Sequence, residues 1–207
     1  MPTSTVMFFL ILVIFSITSF FVFIGRKSEK WQRRFHYMAV AEYPKCGLYM
    51  QARDLFEYML THDQLRNHET LFEYGLMLKR IKSEKADAVL QKSLAEQYQR
   101  EESDSKNPDP FRRSGIILKL LGRRAEAEAE LNKALEKDTA RLKNVSPGHE
   151  KLHVLVSFGK TYFEIEDYQL ALNAFKEAES LSLIRRDKES IHRWIQRVND
   201  KLSEIEK

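Results

Sequence analysis

The fold is decided by residues 152–185, which read LHVLVSFGKTYFEIEDYQLALNAFKEAESLSLIR. Apolar residues recur there at the three- and four-residue spacing that places them on one face of an α-helix. No strand-like alternation of useful length is present, and the apolar segments are short and come as a pair. We therefore expect two short helices that pack against each other as a hairpin.

Eight residues of this stretch follow the signature spacing of a known repeat. They are Leu155, Phe158, Gly159, Tyr162, Tyr168, Ala171, Phe175 and Ala178. The stretch thereby resembles a tetratricopeptide repeat (TPR), a helical hairpin of about 34 residues. We expect Gly159 and Ala171 where the two helices approach most closely, because a bulky side chain would push them apart. Tyr162 and Phe175 are expected to fill the space between one hairpin and the next.

A second copy of the pattern spans residues 108–141. Its matching residues are Phe111, Gly115, Leu118, Gly122, Ala127, Leu131 and Ala134. Gly115 precedes Ala127 by twelve residues, and Gly159 precedes Ala171 by the same twelve. This agreement in spacing favours a true repeat over a chance periodicity.

Two further copies are expected upstream, in residues 68–100 and 33–66. The copy at 68–100 has one residue missing in its turn, and its matching residues are Leu71, Tyr74, Gly75, Leu78, Ala86, Leu90 and Ser93. The copy at 33–66 has a turn at Gly47, and the signature residues of its second helix are Ala52, Phe56 and Met59. Its first helix is poor, since Pro44 must end or kink it. Residues 33–185 are therefore predicted to form an all-α superhelix of about four TPR-like hairpins.

Two polar insertions separate the later copies. We expect a loop at 101–109, and at 142–150 a longer second helix followed by a turn. The chain ends in an amphipathic stretch, 187–207, whose apolar face includes Trp194. Because a solenoid exposes an apolar side at its last repeat, this stretch is predicted to be a capping helix with Trp194 in its core.

The N-terminal segment 6–25 reads VMFFLILVIFSITSFFVFIG and contains no charged side chain. Twenty helical residues span about 30 Å, the thickness of the hydrocarbon core of a bilayer. We therefore predict a single transmembrane helix within residues 1–25. A cleavable signal peptide, the main alternative, would have a basic start, a shorter apolar run and small residues at a cleavage site. A buried core helix would lack an apolar partner of similar length.

Residues 26–34 form a basic juxtamembrane segment with five basic side chains against one acidic, a net charge of +4. The predicted membrane-interface residues are Arg26, Lys27, Lys30, Trp31, Arg33 and Arg34. Trp31 suits the aromatic belt at the headgroups, and packing on the first soluble helix is an equal alternative. Because basic residues favour the cytoplasmic side, we expect the N-terminus outside and the C-terminal domain in the cytoplasm.

Charge is balanced in the rest of the chain. The sequence has 34 basic and 30 acidic residues, and 29 of each remain when residues 26–34 are set aside. A nucleic-acid-binding domain would need a basic face on its folded part, so we expect no nucleic-acid partner. The lone Cys46 excludes an intramolecular disulfide and a paired-cysteine zinc or redox site, which fits a reducing compartment.

His149, Glu150 and His153 form an H-E-x-x-H sequence, the signature of zinc metalloproteases. Pro147-Gly148 place His149 at the very start of a helix, and the repeat pattern leaves His153 on a solvated surface. We therefore expect no catalytic residue, no bound metal and no other cofactor. A membrane-bound zinc protease is the rival hypothesis from another class.

In the TPR family, inward-facing positions of the first helices bind extended peptides. Carrying those positions over gives the predicted partner-binding residues Phe72, Lys79, Arg112, Lys119, Lys160 and Phe163. Their aromatic and basic side chains suit an acidic or C-terminal peptide, and the alternative is that the lysines form a solvated face. Since no Asn is among them, a carboxylate clamp for chaperone tails is not expected.

These features together favour a single-pass membrane scaffold or adaptor that holds a protein or peptide partner near the bilayer. The resemblance implies binding and assembly rather than enzymatic activity, and it leaves oligomer formation open. An organelle import or fission receptor is an alternative that would use the same physics in another membrane.

Overall fold

A computed structural model describes residues 37–39, 43, 46–62, 69–146 and 148–205. These residues form eight α-helices, and no strand occurs among them. The helices are α1 (Tyr49–Thr61), α2 (Thr70–Arg80), α3 (Ala86–Ser103), α4 (Pro108–Leu120), α5 (Arg124–Asn144), α6 (His149–Ile165), α7 (Tyr168–Leu181) and α8 (Arg185–Ile205). The all-α prediction is confirmed for this part of the chain.

The chain divides into two compact units, Met1–Val89 and Leu90–Lys207, and the boundary falls within α3. In the first unit, α1 packs against α2. The Phe56 ring of α1 stacks on the Tyr74 ring of α2 with centroids 5.3 Å apart. The Tyr74 hydroxyl also donates a hydrogen bond to Glu57 Oε1 at 2.9 Å. This aromatic packing and this hydrogen bond therefore contribute to holding the helix pair together.

The described part of the 33–66 copy agrees with the sequence pattern. Gly47 has φ +73°, a left-handed conformation that glycine adopts without steric cost, two residues before α1 begins. The apolar positions of α1, Ala52, Phe56 and Met59, are all fully buried. The turn and the apolar face of this helix are therefore where the repeat spacing predicts them.

Side-chain caps fix where α4 and α7 begin. Asn107 Oδ1 accepts a hydrogen bond from the Asp109 backbone N–H at 3.0 Å, and Pro108 occupies the first helical position. Asp167 Oδ1 accepts from the Leu170 backbone N–H at 3.1 Å. Each cap satisfies an N–H group that has no partner within its own helix. The short polar stretches before α4 and α7 therefore connect the helices and also determine where the next helix begins.

Two glycines allow the helices of the second unit to approach closely. A Cβ atom built at Gly115 of α4 would lie 2.6 Å from Leu131 Cγ of α5. A Cβ atom built at Gly159 of α6 would lie 2.6 Å from Phe175 Cε1 of α7. Protein interiors are close-packed, so a larger residue would force the helices apart. The atoms nearest to Gly159 belong to Phe175 and not, as the sequence pattern suggests, to Ala171.

The residues of the predicted packing set differ in burial. The buried members of the predicted set are Gly75, Gly115, Ala127, Gly159, Ala171, Phe175 and Ala178. Tyr162 is half-buried and packs at the edge of the cluster formed by α6, α7 and α8.

Helix α8 occupies the place predicted for the capping helix, and it begins two residues earlier, at Arg185. It packs against α7 and buries Ile191, Ile195 and Val198. The half-buried Trp194 ring stacks on Phe175 with centroids 5.6 Å apart and an interplanar angle of 15°. Helix α8 therefore covers the apolar side of α7 in the way that a cap is expected to do.

The polar loop predicted at 101–109 is shorter in the structure. Helix α3 continues to Ser103, and only residues 104–107 connect it to α4. The extra turn is tied to α4, because Ser114 Oγ donates a hydrogen bond to Glu101 Oε1 at 2.6 Å. The composition of this stretch predicts that α3 ends before residue 101. The helix is longer because a hydrogen bond to α4 stabilises its last turn.

Several predictions fall outside the described residues. These are the anchor at 6–25, the basic segment at 26–34 and most of the first helix of the 33–66 copy. Among the helices that the structure describes, none combines the length and the apolar character needed to cross a membrane.

Candidate partner-binding surface

Three helices of the second unit contribute to one surface. Helix α4 packs beside α6, and Lys119 Nζ of α4 donates a hydrogen bond to the Glu164 carbonyl oxygen of α6 at 2.7 Å. The Phe163 ring of α6 meets the Trp194 ring of α8 edge-on, with centroids 5.6 Å apart. We call this surface the α4–α6–α8 face and define it by Lys119, Lys160, Phe163, Glu164, Trp194 and Arg197.

Arg112 differs from its predicted role, because it is buried. Its Nη1 donates to Ser157 Oγ at 2.8 Å, its Nη2 pairs with Asp109, and Ser157 Oγ donates to Asp138 Oδ2 at 2.8 Å. Burial alone would raise the pKa of Asp109, but the charges of Arg112 and Arg113 outweigh it and hold that pKa below its ordinary value. We therefore remove Arg112 from the peptide-contact set, since its guanidinium joins α4 to α6, and Ser157 of α6 extends the network to α5.

Asp138 is the buried end of this polar network. Its side chain is fully buried in α5, and within the described residues its Oδ1 has no hydrogen-bond partner. Arg141 Nη1 lies 3.8 Å from this Oδ1. Burial raises the pKa of Asp138 from 3.8 to about 6, although the Ser157 hydrogen bond and the Arg112 charge oppose the rise. Burial therefore holds the pKa of this carboxyl group well above its ordinary value.

Lys119 is partly engaged within the chain. Besides the Glu164 carbonyl oxygen, its Nζ contacts Glu166 Oε1 at 2.8 Å. The hydrogen bond from Lys119 lowers the pKa of Glu166. Lys119 therefore offers a partner less free charge than the sequence position suggests.

Aromatic rings and cations meet at the centre of the face. Arg197 Cζ lies 4.3 Å from the Trp194 ring centroid and 5.2 Å from the Phe163 centroid. Lys160 Nζ lies 5.8 Å from the Trp194 centroid. Cations at these distances are attracted to the faces of aromatic rings. Arg197 is exposed and the other three are half-buried, so the cluster is accessible from solvent while its rings stay packed.

Glu164 places one acid beside these cations. Burial raises the pKa of Glu164, and the charges of Lys119 and Arg197 partly oppose that rise. The face therefore combines three basic side chains with a partly desolvated carboxylate and two aromatic rings. A ligand with a carboxylate and an apolar group in close succession complements this arrangement.

The two predicted contact residues of the first unit have other surroundings. Phe72 is only 8% exposed, so its ring is part of the core of the unit. Lys79 Nζ forms an ion pair with Asp87 Oδ1 at 2.6 Å. We remove Phe72 from the peptide-contact set because a buried ring offers little surface to a partner, and Lys79 stays a prediction.

The H-E-x-x-H sequence lies at the start of α6. His149 is its first residue, and the rings of His149 and His153, both exposed, meet edge-on with centroids 4.3 Å apart. Asp187 Oδ2 lies 3.7 Å from His149 Nε2. No group of three or more His, Cys, Asp or Glu side chains arranged to hold a metal ion occurs in the described part of the chain.

Three residues that matter in this region are not among those predicted from the sequence. Arg197 follows Trp194 by three positions, so the helical spacing alone would have placed it one turn along the same face. Asp138 follows the buried Ala134 by four positions on α5, and an acid on an apolar helix face is itself a signal. Ser157 carries no such signal, because its role depends on which helices become neighbours.

No protein-family model and no curated protein matches the chain. Solved structures with TPR-like folds do match it. The TPR-like repeats of a Podosopora anserina protein assigned as a kinesin light chain show 14% identity and a TM-score of 0.45, over 83% of this chain and 87% of that chain. TTC0263, a TPR protein of Thermus thermophilus, shows 16% identity and a TM-score of 0.37, over 83% and 98%. MamA of Desulfovibrio magneticus RS-1 shows 12% identity and a TM-score of 0.37, over 86% and 97%. Because all three TM-scores are below 0.5, these similarities do not support the assignment of the hairpins. That assignment depends on how the helices pack within this chain.

Proposed function

We propose that this chain is a membrane-tethered scaffold of TPR-like hairpins that binds a protein or peptide partner, and that it is not an enzyme. The observation that carries the proposal is the aromatic and cationic cluster on the α4–α6–α8 face. Arg197 is exposed above the Trp194 and Phe163 rings, with Lys160 beside them. Aromatic residues and arginine are the side chains most enriched in protein interfaces.

The chemistry of the cluster suggests the kind of partner. A carboxylate of the partner would pair with Lys160 or Arg197, and an adjacent apolar side chain would lie against the half-buried rings. Glu164 would repel a second carboxylate placed close to the first, since like charges at an interface oppose binding. The partner segment is therefore expected to be mildly acidic and apolar rather than a run of acidic residues.

The tether is supported by the sequence. Residues 6–25 are long and apolar enough to span a bilayer, and residues 26–34 carry the whole excess of positive charge. With residues 6–25 in the bilayer and residues 26–34 at its cytoplasmic surface, the helical part would lie in the cytoplasm. There it would recruit its partner to the membrane surface. The same arrangement would serve an organelle receptor.

Affinity capture from membranes tests the binding face. The full-length chain is compared with a Lys160→Glu, Arg197→Glu double variant, and bound proteins are identified by mass spectrometry. We expect partners that bind the original chain to be largely lost from the double variant, because both changes place repulsive charge opposite the partner's carboxylate.

A matched control separates this effect from a change in overall charge. Lys143→Glu with Lys176→Glu makes the same charge change at exposed positions of α5 and α7. Partners should be retained by this control variant. Equal retention by both double variants would contradict the assignment of the α4–α6–α8 face.

A further inference from the structure

The turn between α7 and α8 presents two apolar side chains to solvent. Leu183 is 98% exposed and Ile184 is 52% exposed, the former more than any other large apolar side chain recorded in the described residues. Neighbouring apolar residues of the same helices, such as Leu181 and Ile191, pack into the core instead. The exposure of this pair is therefore local to the turn, which we call the 183–184 tip.

The conformation of the tip is fixed by hydrogen bonds. Ser182 is buried and its Oγ donates to the Ile184 carbonyl oxygen at 3.2 Å. The backbone N–H groups of Asp187 and Lys188 donate to the same carbonyl oxygen at 3.1 and 3.2 Å. With Ser182 directed inward, Leu183 is directed outward. The tip is therefore held in place by the start of α8 and is not a loosely connected loop.

Positive charge follows the tip directly. Arg185, Arg186 and Lys188 are exposed, and Asp187 is the one acid among residues 183–188. Asp187 is half-buried beside His149, 3.7 Å from its Nε2, so its charge is directed toward α6. Arg185 also forms an ion pair with Glu189, at an exposed position where such pairs are weak. Two apolar side chains bordered by three cations complement the surface of an anionic bilayer.

We propose that the 183–184 tip inserts into the headgroup region of an anionic bilayer and forms a second membrane contact. The inference rests on the tether of the proposed function. Two apolar side chains bind a membrane weakly by themselves, but linking a weak site to a second binding site makes its binding intramolecular, at an effective concentration of about millimolar. A weak second contact is then sufficient to orient the second unit relative to the membrane.

A single fluorophore tests the contact in the full-length chain. Cys46→Ser removes the lone cysteine, and Leu183→Cys provides a site for the environment-sensitive dye NBD. The labelled chain is reconstituted in phosphatidylcholine vesicles with and without about one third phosphatidylserine. With phosphatidylserine we expect blue-shifted emission and strong quenching by nitroxide-labelled lipid, and with phosphatidylcholine alone both effects should be much smaller.

Two further variants serve as controls. NBD at Glu128→Cys, an exposed position of α5, should show solvent-like emission in both kinds of vesicle. Arg185→Glu with Arg186→Glu, added to the Leu183→Cys chain, should remove most of the quenching while leaving the Ser182 contacts in place. Retained quenching in that variant would overturn the role given to the cations.

Failure of the tip and failure of the tether give different results. Flotation of the vesicles after carbonate extraction reports the tether alone. A chain that floats but shows solvent-like, unquenched dye at position 183 would overturn the second contact and leave the tether intact. Blue-shifted dye that lipid nitroxide does not quench would show that protein covers the tip, which also overturns the proposal. A chain that does not float would refute the tether, and the inference with it.

Discussion

At the scale of single residues, Arg112 and Asp138 belong to a polar network that crosses α4, α5 and α6. Ser157 connects them, accepting from Arg112 and donating to Asp138, each at 2.8 Å. Removing one member of a buried charged network leaves the others unpaired, which costs more than the network contributes as a whole. These residues therefore set the relative positions of neighbouring helices rather than contact a partner.

The carboxyl group of Asp138 should make the stability of the fold depend on pH. Its pKa of about 6 exceeds the ordinary 3.8, so as pH rises the unfolded chain releases this proton before the folded chain does. The ionised group thus destabilises the fold at neutral pH, and the penalty disappears as pH falls from 6 toward 3.8. Over that range we expect the original chain to gain about 3 kcal/mol relative to Asp138→Asn, in urea unfolding of detergent-solubilised protein. A constant difference between the two proteins at all pH values would contradict this role.

Arg112 provides a second test at this scale. Arg112→Gln should lower the free energy of unfolding by about 1.5–3 kcal/mol, because charge-assisted hydrogen bonds to Asp109 and Ser157 are lost. Partner capture at temperatures where the variant is folded should be unchanged. Lys176→Gln, at an exposed position of α7, is the control and should alter neither quantity. Lost capture by a fully folded Arg112→Gln chain would restore Arg112 to the binding surface.

At the scale of secondary-structure elements, the helix pairs follow from the sequence because their signals are local. The twelve-residue spacing from Gly115 to Ala127 and from Gly159 to Ala171 identifies α4–α5 and α6–α7 as pairs. The features that the sequence does not predict depend on contacts between residues distant in the chain. Helix α3 gains a turn through the contact of Ser114 with Glu101. The same limitation explains the error at Arg112, because its burial requires α6.

Helix α8 should be required as a cover for α7. Val198→Asp would place a carboxylate at a fully buried position of the α7–α8 interface, and burying an unpaired charge costs several kcal/mol. We expect partial detachment of α8, a lower melting temperature and aggregation through the uncovered apolar side of α7. Circular dichroism and light scattering on heating measure both effects. Asn199→Asp, at the next and exposed position, should behave like the original chain, and an equal loss in both would contradict the interface.

At the scale of the whole molecule, the proposal links a binding face to a membrane anchor. The face is built by three helices of the second unit, and the anchor is proposed from residues 6–25. In this proposal, the charge pattern of residues 26–34 favours the cytoplasmic side of the membrane for the helices. A scaffold of this design changes the location of its partner and requires no catalytic residue.

The lone cysteine makes the proposed orientation measurable. Cys46 is exposed, so a membrane-impermeant maleimide should label it wherever the reagent reaches it. For a cytoplasmic domain, we expect no labelling of intact cells and full labelling after the membrane is permeabilised. Cys46→Ser is the control for specific labelling. Strong labelling of intact cells would place the helical part outside and contradict the orientation.

The central claim is that α6 and α7 meet directly at Gly159 and Phe175, since the α4–α6–α8 face exists because the hairpins pack in this way. A double-mutant cycle of Gly159→Ala and Phe175→Ala, read by urea unfolding, measures that contact. In the original background Gly159→Ala should destabilise, because its Cβ would lie 2.6 Å from the Phe175 ring. With Ala at position 175 the ring is absent, so the same change should be neutral or stabilising, as alanine is the better helix former, giving a coupling energy of at least about 1 kcal/mol. Equal effects of Gly159→Ala in both backgrounds would show that the two helices do not meet there.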